Sequence, residues 1–326
     1  MLSNADSLTL ERKPPLVSVI IPCFNVAPFI SETIESVITQ TFNDYEIIVV
    51  NDGSPDATEL QHALAPYREN ITYLEQENRG VSAARNLGIR ASRGEFLAFL
   101  DGDDVWLPDF LKHQLEFIRS NSGYDLVYSD AYHFGNNCQG LTYMQTCPSE
   151  GEVNCESLVS GKCNVICSGV LVRKEVVLEV GLFDEELRAA EDFDLWLRVS
   201  KRKGARLNYQ RKILVGYRHR DGSLASNTER QVESAVSVYE KTGKRNDLSS
   251  RERAALSRTL AAQRAMLATY QAKRELLDGN LAEAIASFET ANRLSSTRKL
   301  RLIIKSIRVA PRFVQFVVKL AKGRTR

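Results

Sequence analysis

Apolar positions in the chain fall into short runs separated by stretches of helical period. Residues 16–21 (LVSVII) are a β-branched run, which predicts a first buried strand. Pro22 closes that run, and Cys23, Phe24 and Asn25 follow as a loop at its carboxyl end. A helix is expected from about Pro28 to Gln40, with Ile30, Ile34, Val37 and Ile38 on its apolar face. Residues 45–50 (YEIIVV) read as a second strand, broken by Asn51-Asp52-Gly53-Ser54. Residues 56–68 look helical, and Ile71–Tyr73 reads as a short third strand. Gly80 opens the next helix, and Gly94 precedes a fourth strand at Phe96–Leu100.

Strand and helix alternate at the spacing of a mostly parallel sheet with helices on both faces, an α/β architecture. Ligands in such folds sit outside the carboxyl ends of the strands. That rule brings residues 23–25, 51–54 and 101–104 to one crevice. The last of these segments holds Asp101, Asp103 and Asp104. Three acids leaving a buried strand repel one another and resist desolvation unless a cation compensates. Oxygen ligation suits Mg²⁺ or Mn²⁺ shared with substrate phosphates. An acidic turn capping the following helix is the plainer reading of the segment alone, and convergence on the crevice favours the metal.

Further along, residues 109–119 read as a helix and 125–128 as a short strand leading to Asp130. Residues 134–165 are polar and poorly periodic, and read as a long loop over the cleft. Val170–Val180 restores an apolar pattern, residues 181–184 turn, and residues 191–202 (EDFDLWLRVSKR) form a helix. Tyr209–Tyr217 suggests a final hairpin or edge strand. Helices are expected to the end, including 252–275 and 281–294, with a turn at Asp278-Gly279-Asn280.

Several polar groups in this pattern have two readings. Asp52 accepts hydrogen bonds from a ligand or caps the helix starting near Asp56. Glu191 and Asp192 cap a helix start, or one of them takes a proton from an attacking hydroxyl. Arg218, His219, Arg220 and Ser223 offer donors to a diphosphate or form a solvated basic turn. Of the six cysteines, only Cys163 and Cys167 are closely spaced, so reduced thiols are favoured over zinc. No G-x-G-x-x-G follows the first strand, and no P-loop or nucleophile elbow occurs.

Composition places the 326 residues among soluble globular chains, with 43% hydrophobic and 26% charged. The start of the chain has no signal-peptide pattern, and no apolar run approaches a membrane span. A reducing cytoplasm is the expected compartment. The net charge of +2 conceals an asymmetry: Arg298–Arg326 holds ten Lys or Arg and no acid, leaving the remaining chain at −8. An acidic body with a basic tail argues against a nucleic-acid partner. Leucine, isoleucine, valine and phenylalanine mix with the cations there, and Pro311 divides two expected short helices. Such a segment predicts peripheral attachment to an anionic membrane surface. Residues 279–294 resemble half of a tetratricopeptide-like helix pair, expected to pack locally or make a homodimer contact.

Five words in this order resemble the inverting glycosyltransferases of family 2, which have the GT-A fold. They are residues 17–42, 45–58, 77–106 (ENRGVSAARNLGIRASRGEFLAFLDGDDVW), 181–198 and 217–226. The resemblance implies a nucleotide-sugar-binding catalytic domain over 16–226, after a flexible lead at 1–15. A helical region at 227–297 and the basic tail at 298–326 follow. It implies that Pro22, Phe24 and Asn25 contact the nucleotide and that Asp52 binds its base, usually uracil. Gly80 and Arg85 match the nucleotide-cradling helix start. Asp101 and Asp103 match the D-x-D element, with Asp103 the direct Mn²⁺ or Mg²⁺ ligand. Asp192 matches the catalytic base, supported by Glu191. Arg218 and Ser223 match diphosphate contacts, while Arg220 stands where such enzymes commonly carry His.

The activity so implied moves a sugar from a UDP-linked donor to a hydroxyl of a glycan, lipid-linked or protein acceptor. Surface polysaccharide or lipopolysaccharide synthesis is the implied setting. A non-catalytic sugar-nucleotide-binding protein and a nucleotidyltransferase are the competing classes.

Overall fold

The computed structural model describes residues 13–120, 123–136, 140–220, 228–315 and 318. Eight strands form one mixed sheet in the order β3-β2-β1-β4-β7-β6-β8-β5. They are β1 (Val17–Cys23), β2 (Tyr45–Asp52), β3 (Ile71–Gln76), β4 (Phe96–Phe99), β5 (Val105–Trp106), β6 (Leu126–Gly135), β7 (Val170–Arg173) and β8 (Leu207–His219). The pairs β1–β2, β1–β4, β2–β3 and β6–β8 are parallel. The pairs made by β7 with β4 and β6, and by β5 with β8, are antiparallel.

Along the first half run α1 (Ile30–Ile38), α2 (Ala57–Leu64), α3 (Val81–Ala91) and α4 (Phe110–Arg119). The second half adds α5 (Tyr143–Thr146), α6 (Cys155–Val159), α7 (Lys174–Val180) and α8 (Glu191–Ser200). The C-terminal helices are α9 (Thr228–Gly243), α10 (Ser250–Asp278), α11 (Leu281–Ser295) and α12 (Arg298–Val309).

Period-2 alternation divides the core between the two faces of the sheet. Val17, Val19 and Ile21 of β1 pack with Ile30, Ile34 and Val37 of α1 and with Phe110 of α4. Ile20 points the other way, into a core with Ile89 of α3 and Leu195, Trp196 and Val199 of α8. That second core continues through Val238 and Tyr239 of α9 into Ala255 and Leu256 of α10. The catalytic-domain boundary expected near 226 is therefore crossed by one continuous apolar core. A separate small core joins the end of α10 to α11 and α12.

Four expectations change. Pro22 lies inside β1, opposite Val50, rather than after it. Its neighbour on the other side, β4, pairs only as far as Ile20, so the missing N–H forfeits no ladder bond. Residues 134–165 are not one loop: β6 runs to Gly135, and α5 and α6 follow with Met144, Leu158 and Val159 buried. β8 is neither a hairpin nor an edge strand but a thirteen-residue strand between β6 and β5. The edge on that side is β5, two residues long and unforeseen.

Candidate active site

A cleft of 680 Å³ opens at the carboxyl ends of β1, β2 and β4. Pro22, Phe24, Asn25, Asp52, Gly80, Arg85, Asp101, Asp103, Glu191, Asp192 and Arg218 all line it. These residues come from separate stretches of sequence and meet in one place. Ser223 lies outside the described residues.

Asp52 ends β2 and is clamped in place. Its Oδ1 accepts from Gln76 Nε2 at 2.7 Å and the Arg79 amide at 2.9 Å, and Oδ2 accepts from the Gly80 amide at 2.8 Å. It does not cap α2. The following Gly53 has φ +59°, and a Cβ there would fall 2.5 Å from the Asn78 nitrogen. Glycine is required by both the angle and the approach. On the other side of the cleft entrance, the Asn25 amide donates to Ser54 Oγ at 2.6 Å.

The three acids after β4 have different surroundings. Asp104 is 1% exposed. Its carboxylate accepts from Ser168 Oγ at 2.6 Å and from the Arg218 amide at 2.9 Å. It fastens β8 to the turn. Asp101 and Asp103 keep company with arginines, Asp101 with Arg85 at 2.6 Å and Asp103 with Arg220 at 2.5 Å. Burial first, and then the charge of Asp101, pushes the Asp103 carboxyl up from the ordinary range. Two hard oxygen donors that repel each other fit a Mg²⁺ or Mn²⁺ completed by waters and substrate phosphates. They do not fit an all-protein site: among the described residues no three His, Cys, Asp or Glu side chains come together around a point.

Arg85 is the hub beneath this surface. It is 3% exposed. Nη1 donates to Glu191 Oε1 at 2.5 Å and Nη2 to Asp101 Oδ1 at 2.6 Å. One guanidinium thus ties the turn after β4 to the first residue of α8. Arg85, expected at the nucleotide-cradling helix start, lines the cleft and pairs with these two carboxylates. Next to it, Asn86 exchanges two 2.9 Å hydrogen bonds with the Phe183 backbone, docking α3 against the turn before α8.

Asp192 occupies the second position of α8. The residue before the helix, Ala190, has φ +58°. A non-glycine residue held there stores backbone strain, as occurs at functional sites. Asp192 Oδ1 accepts from the Phe193 amide at 2.7 Å. Burial, and then the neighbouring Glu191 charge, pushes its carboxyl up to about 7, against a partial offset from Arg85. A carboxylate that protonates near neutrality can act as a general base. Asp192 also lines a second cavity of 310 Å³, beside Tyr143, Asn164, Trp196, Gln231 and Tyr239. It therefore stands between two spaces.

The basic segment at the end of β8 divides by alternation. Arg218 donates to the Asp103 carbonyl at 2.6 Å and to Glu32 at 2.5 Å, and its guanidinium lies 4.2 Å from the Phe134 ring centre. Arg220 is the one that reaches the Asp103 carboxylate. His219 turns away and meets His133 at 2.8 Å. Sequence reasoning gave priority to Arg218 and did not single out Arg188, which also lines the cleft. Arg220 was already among the donors of the basic turn, standing where the resemblance expects His. Nothing in the local pattern signalled Arg188.

This cleft can be compared with those of known proteins. The model of glycosyl transferase family 2 matches residues 18–175. A glycosyltransferase of Rickettsia typhi, itself uncharacterized, is 31% identical over 237 residues, spanning 69% of this chain and 70% of its own. The Bacillus subtilis glycosyltransferase TuaG, provisionally assigned to teichuronic acid biosynthesis, is 31% identical over 237 residues and is covered over 87% of its length. The chain belongs to glycosyl transferase family 2. Four other rickettsial relatives are covered over only 29–58% of their lengths. Among solved structures, residues 1–349 of Staphylococcus aureus TarS, in complex with UDP-GlcNAc, superpose with a TM-score of 0.63. That match has 20% identity over 95% of this chain and 92% of that one. The shared architecture is a GT-A-like α/β fold, and this family-2 chain is a glycosyltransferase.

Proposed function

We propose that this family-2 chain transfers a sugar, with inversion, from a UDP-linked donor to a hydroxyl of a glycan or lipid-linked acceptor in surface polysaccharide synthesis. The observation carrying this reading is the position of Asp192, between the cleft that holds Asp52, Asp101 and Asp103 and the second cavity. The donor's base sits against the clamped Asp52 carboxylate, near Pro22, Phe24 and Asn25. Its diphosphate lies over Asp101 and Asp103, with Arg188 and Arg220 as cationic donors. Asp103 and Asp101 would hold Mn²⁺ or Mg²⁺ there. The ion, when bound, neutralises negative charge developing on the leaving diphosphate.

The acceptor enters from the side of the second cavity, where the half-buried rings of Tyr143 and Phe193 suit the flat face of a sugar. Asp192 takes the hydroxyl proton as that oxygen attacks the anomeric carbon. The bond from anomeric carbon to phosphate oxygen breaks, and its electron pair leaves with the nucleoside diphosphate. Glu191 is engaged by Arg85 rather than by the acceptor. The relative with a provisional role in teichuronic acid synthesis supports a wall or surface polymer as the setting.

The test is nucleoside diphosphate release from UDP-, GDP- and dTDP-sugars, with Mn²⁺ or with EDTA. Slow hydrolysis of one UDP-sugar, lowered at least about tenfold by EDTA, is expected. No release from any donor, together with no metal-dependent donor binding by calorimetry, would overturn the reading.

A further inference from the structure

The last described helix carries two apolar stripes, and the fold uses only one. Leu300, Ile304 and Ile307 of α12 are buried with Ala272 and Leu276 of α10 and Phe288 of α11. Half a turn away, Leu302 is 65% exposed and Val309 78% exposed. At 100° per residue, these two lie within about 20° of each other and opposite the buried stripe. Just beyond α12, Phe313 continues the outer stripe at 67% exposure. Together with Ile303 and Val314 they line an apolar groove of 740 Å³.

A surface helix that only packs inward presents polar residues outward. Here the outward side holds large apolar groups, edged by Lys299 on one flank and Arg298 and Lys305 on the other. The charge identifies the occupant. From Arg298 to Arg326 there are ten cations and no acid. A second copy docking by this same face would set two such cationic surfaces against each other, which like-charge repulsion opposes. An anionic bilayer supplies both complements, phosphates for the cations and a hydrocarbon boundary for the stripe.

We infer that the outer face of α12 docks on an anionic membrane surface, with Leu302, Val309 and Phe313 entering the headgroup–acyl boundary. The cations beside them lie in the phosphate layer. Among the described residues no helix is long and apolar enough to cross a membrane, so the contact is interfacial. This inference is independent of the donor chemistry, because none of its residues lines the cleft.

The experiment is co-sedimentation of the full chain with vesicles of pure phosphatidylcholine and of phosphatidylcholine containing about one-third phosphatidylglycerol. Binding is expected to the anionic vesicles alone, and to weaken several-fold as salt is raised well above physiological strength. The triple variant Leu302→Ser, Val309→Ser, Phe313→Ser should bind them about tenfold or more weakly. Its circular dichroism and melting temperature should match the parent's, since all three side chains face solvent. Equal binding to both vesicle types, or to neither, would overturn the inference. Undiminished binding by the folded triple variant would overturn it too, leaving charge without insertion. A dimer in light scattering that the triple variant splits would assign the face to a second copy instead.

Discussion

Asp192→Asn is expected to abolish transfer while making the folded protein more stable at pH 8. The amide cannot accept the acceptor's proton, and loss of a positioned base costs about 10²–10⁴-fold in rate. Donor binding should survive, since Asp52, Asp101 and Asp103 are untouched. The stability change follows from linkage. The Asp192 carboxyl is pushed up to about 7 in the folded chain, above an ordinary value of about 4 when unfolded. Between those values the folded state holds a proton that the unfolded state has released, so stability falls as pH rises. Above pH 7 the penalty is constant, and below about pH 4 it vanishes. The variant should therefore melt higher than the parent at pH 8 and match it near pH 4. In the parent, turnover should rise with pH to a plateau, with its midpoint near 7. Thermal melts at the two pH values and a pH–rate profile check both halves. Equal melting temperatures at pH 8 would mean that Asp192 is not penalised by burial.

Arg85→Met is expected to damage both fold and activity. It removes the cation between Asp101 and Glu191 and leaves two carboxylates facing a buried apolar side chain. Removing one partner of a buried ion pair costs about 3–5 kcal/mol. Arg85→Lys retains the charge but offers one ammonium in place of two prongs 2.5 and 2.6 Å from separate carboxylates. It should recover part of the stability and less of the activity, because Glu191 and Asp101 would no longer be held in register. Urea denaturation of the three proteins separates the effects. An Arg85→Met protein as stable as the parent would remove Arg85 from its place as hub.

Much of this site was readable along the chain. β1, β2 and β4 announce themselves as apolar runs ending in polar turns, and the rule for open α/β sheets brings those turns together. Which acid does what could not be read that way. Asp101, Asp103 and Asp104 fall within four consecutive positions, yet Asp104 belongs to Ser168 and the Arg218 amide. Those partners lie 64 and 114 residues away. Arg85 likewise takes its role from Glu191, 106 residues downstream.

The failures elsewhere have local causes. α5 and α6 are four and five residues long, too short for a helical period to show. The register of β8 against β6 shifts at Ser129–Ala131, and its exposed middle, Arg211-Lys212-Ile213, breaks the alternation that marks a strand. In α12 the sequence showed apolar residues mixed with cations. Only packing reveals that Leu300, Ile304 and Ile307 are spent inward while Leu302 and Val309 are not.

The central claim is a single displacement assisted by Asp192. The most direct measurement is proton NMR of the sugar released when water replaces the acceptor, followed before the anomers equilibrate. From an α-linked UDP-sugar the account predicts that the β-anomer appears first. Early release of the α-anomer would contradict it, because retention requires a second displacement for which this account provides no nucleophile.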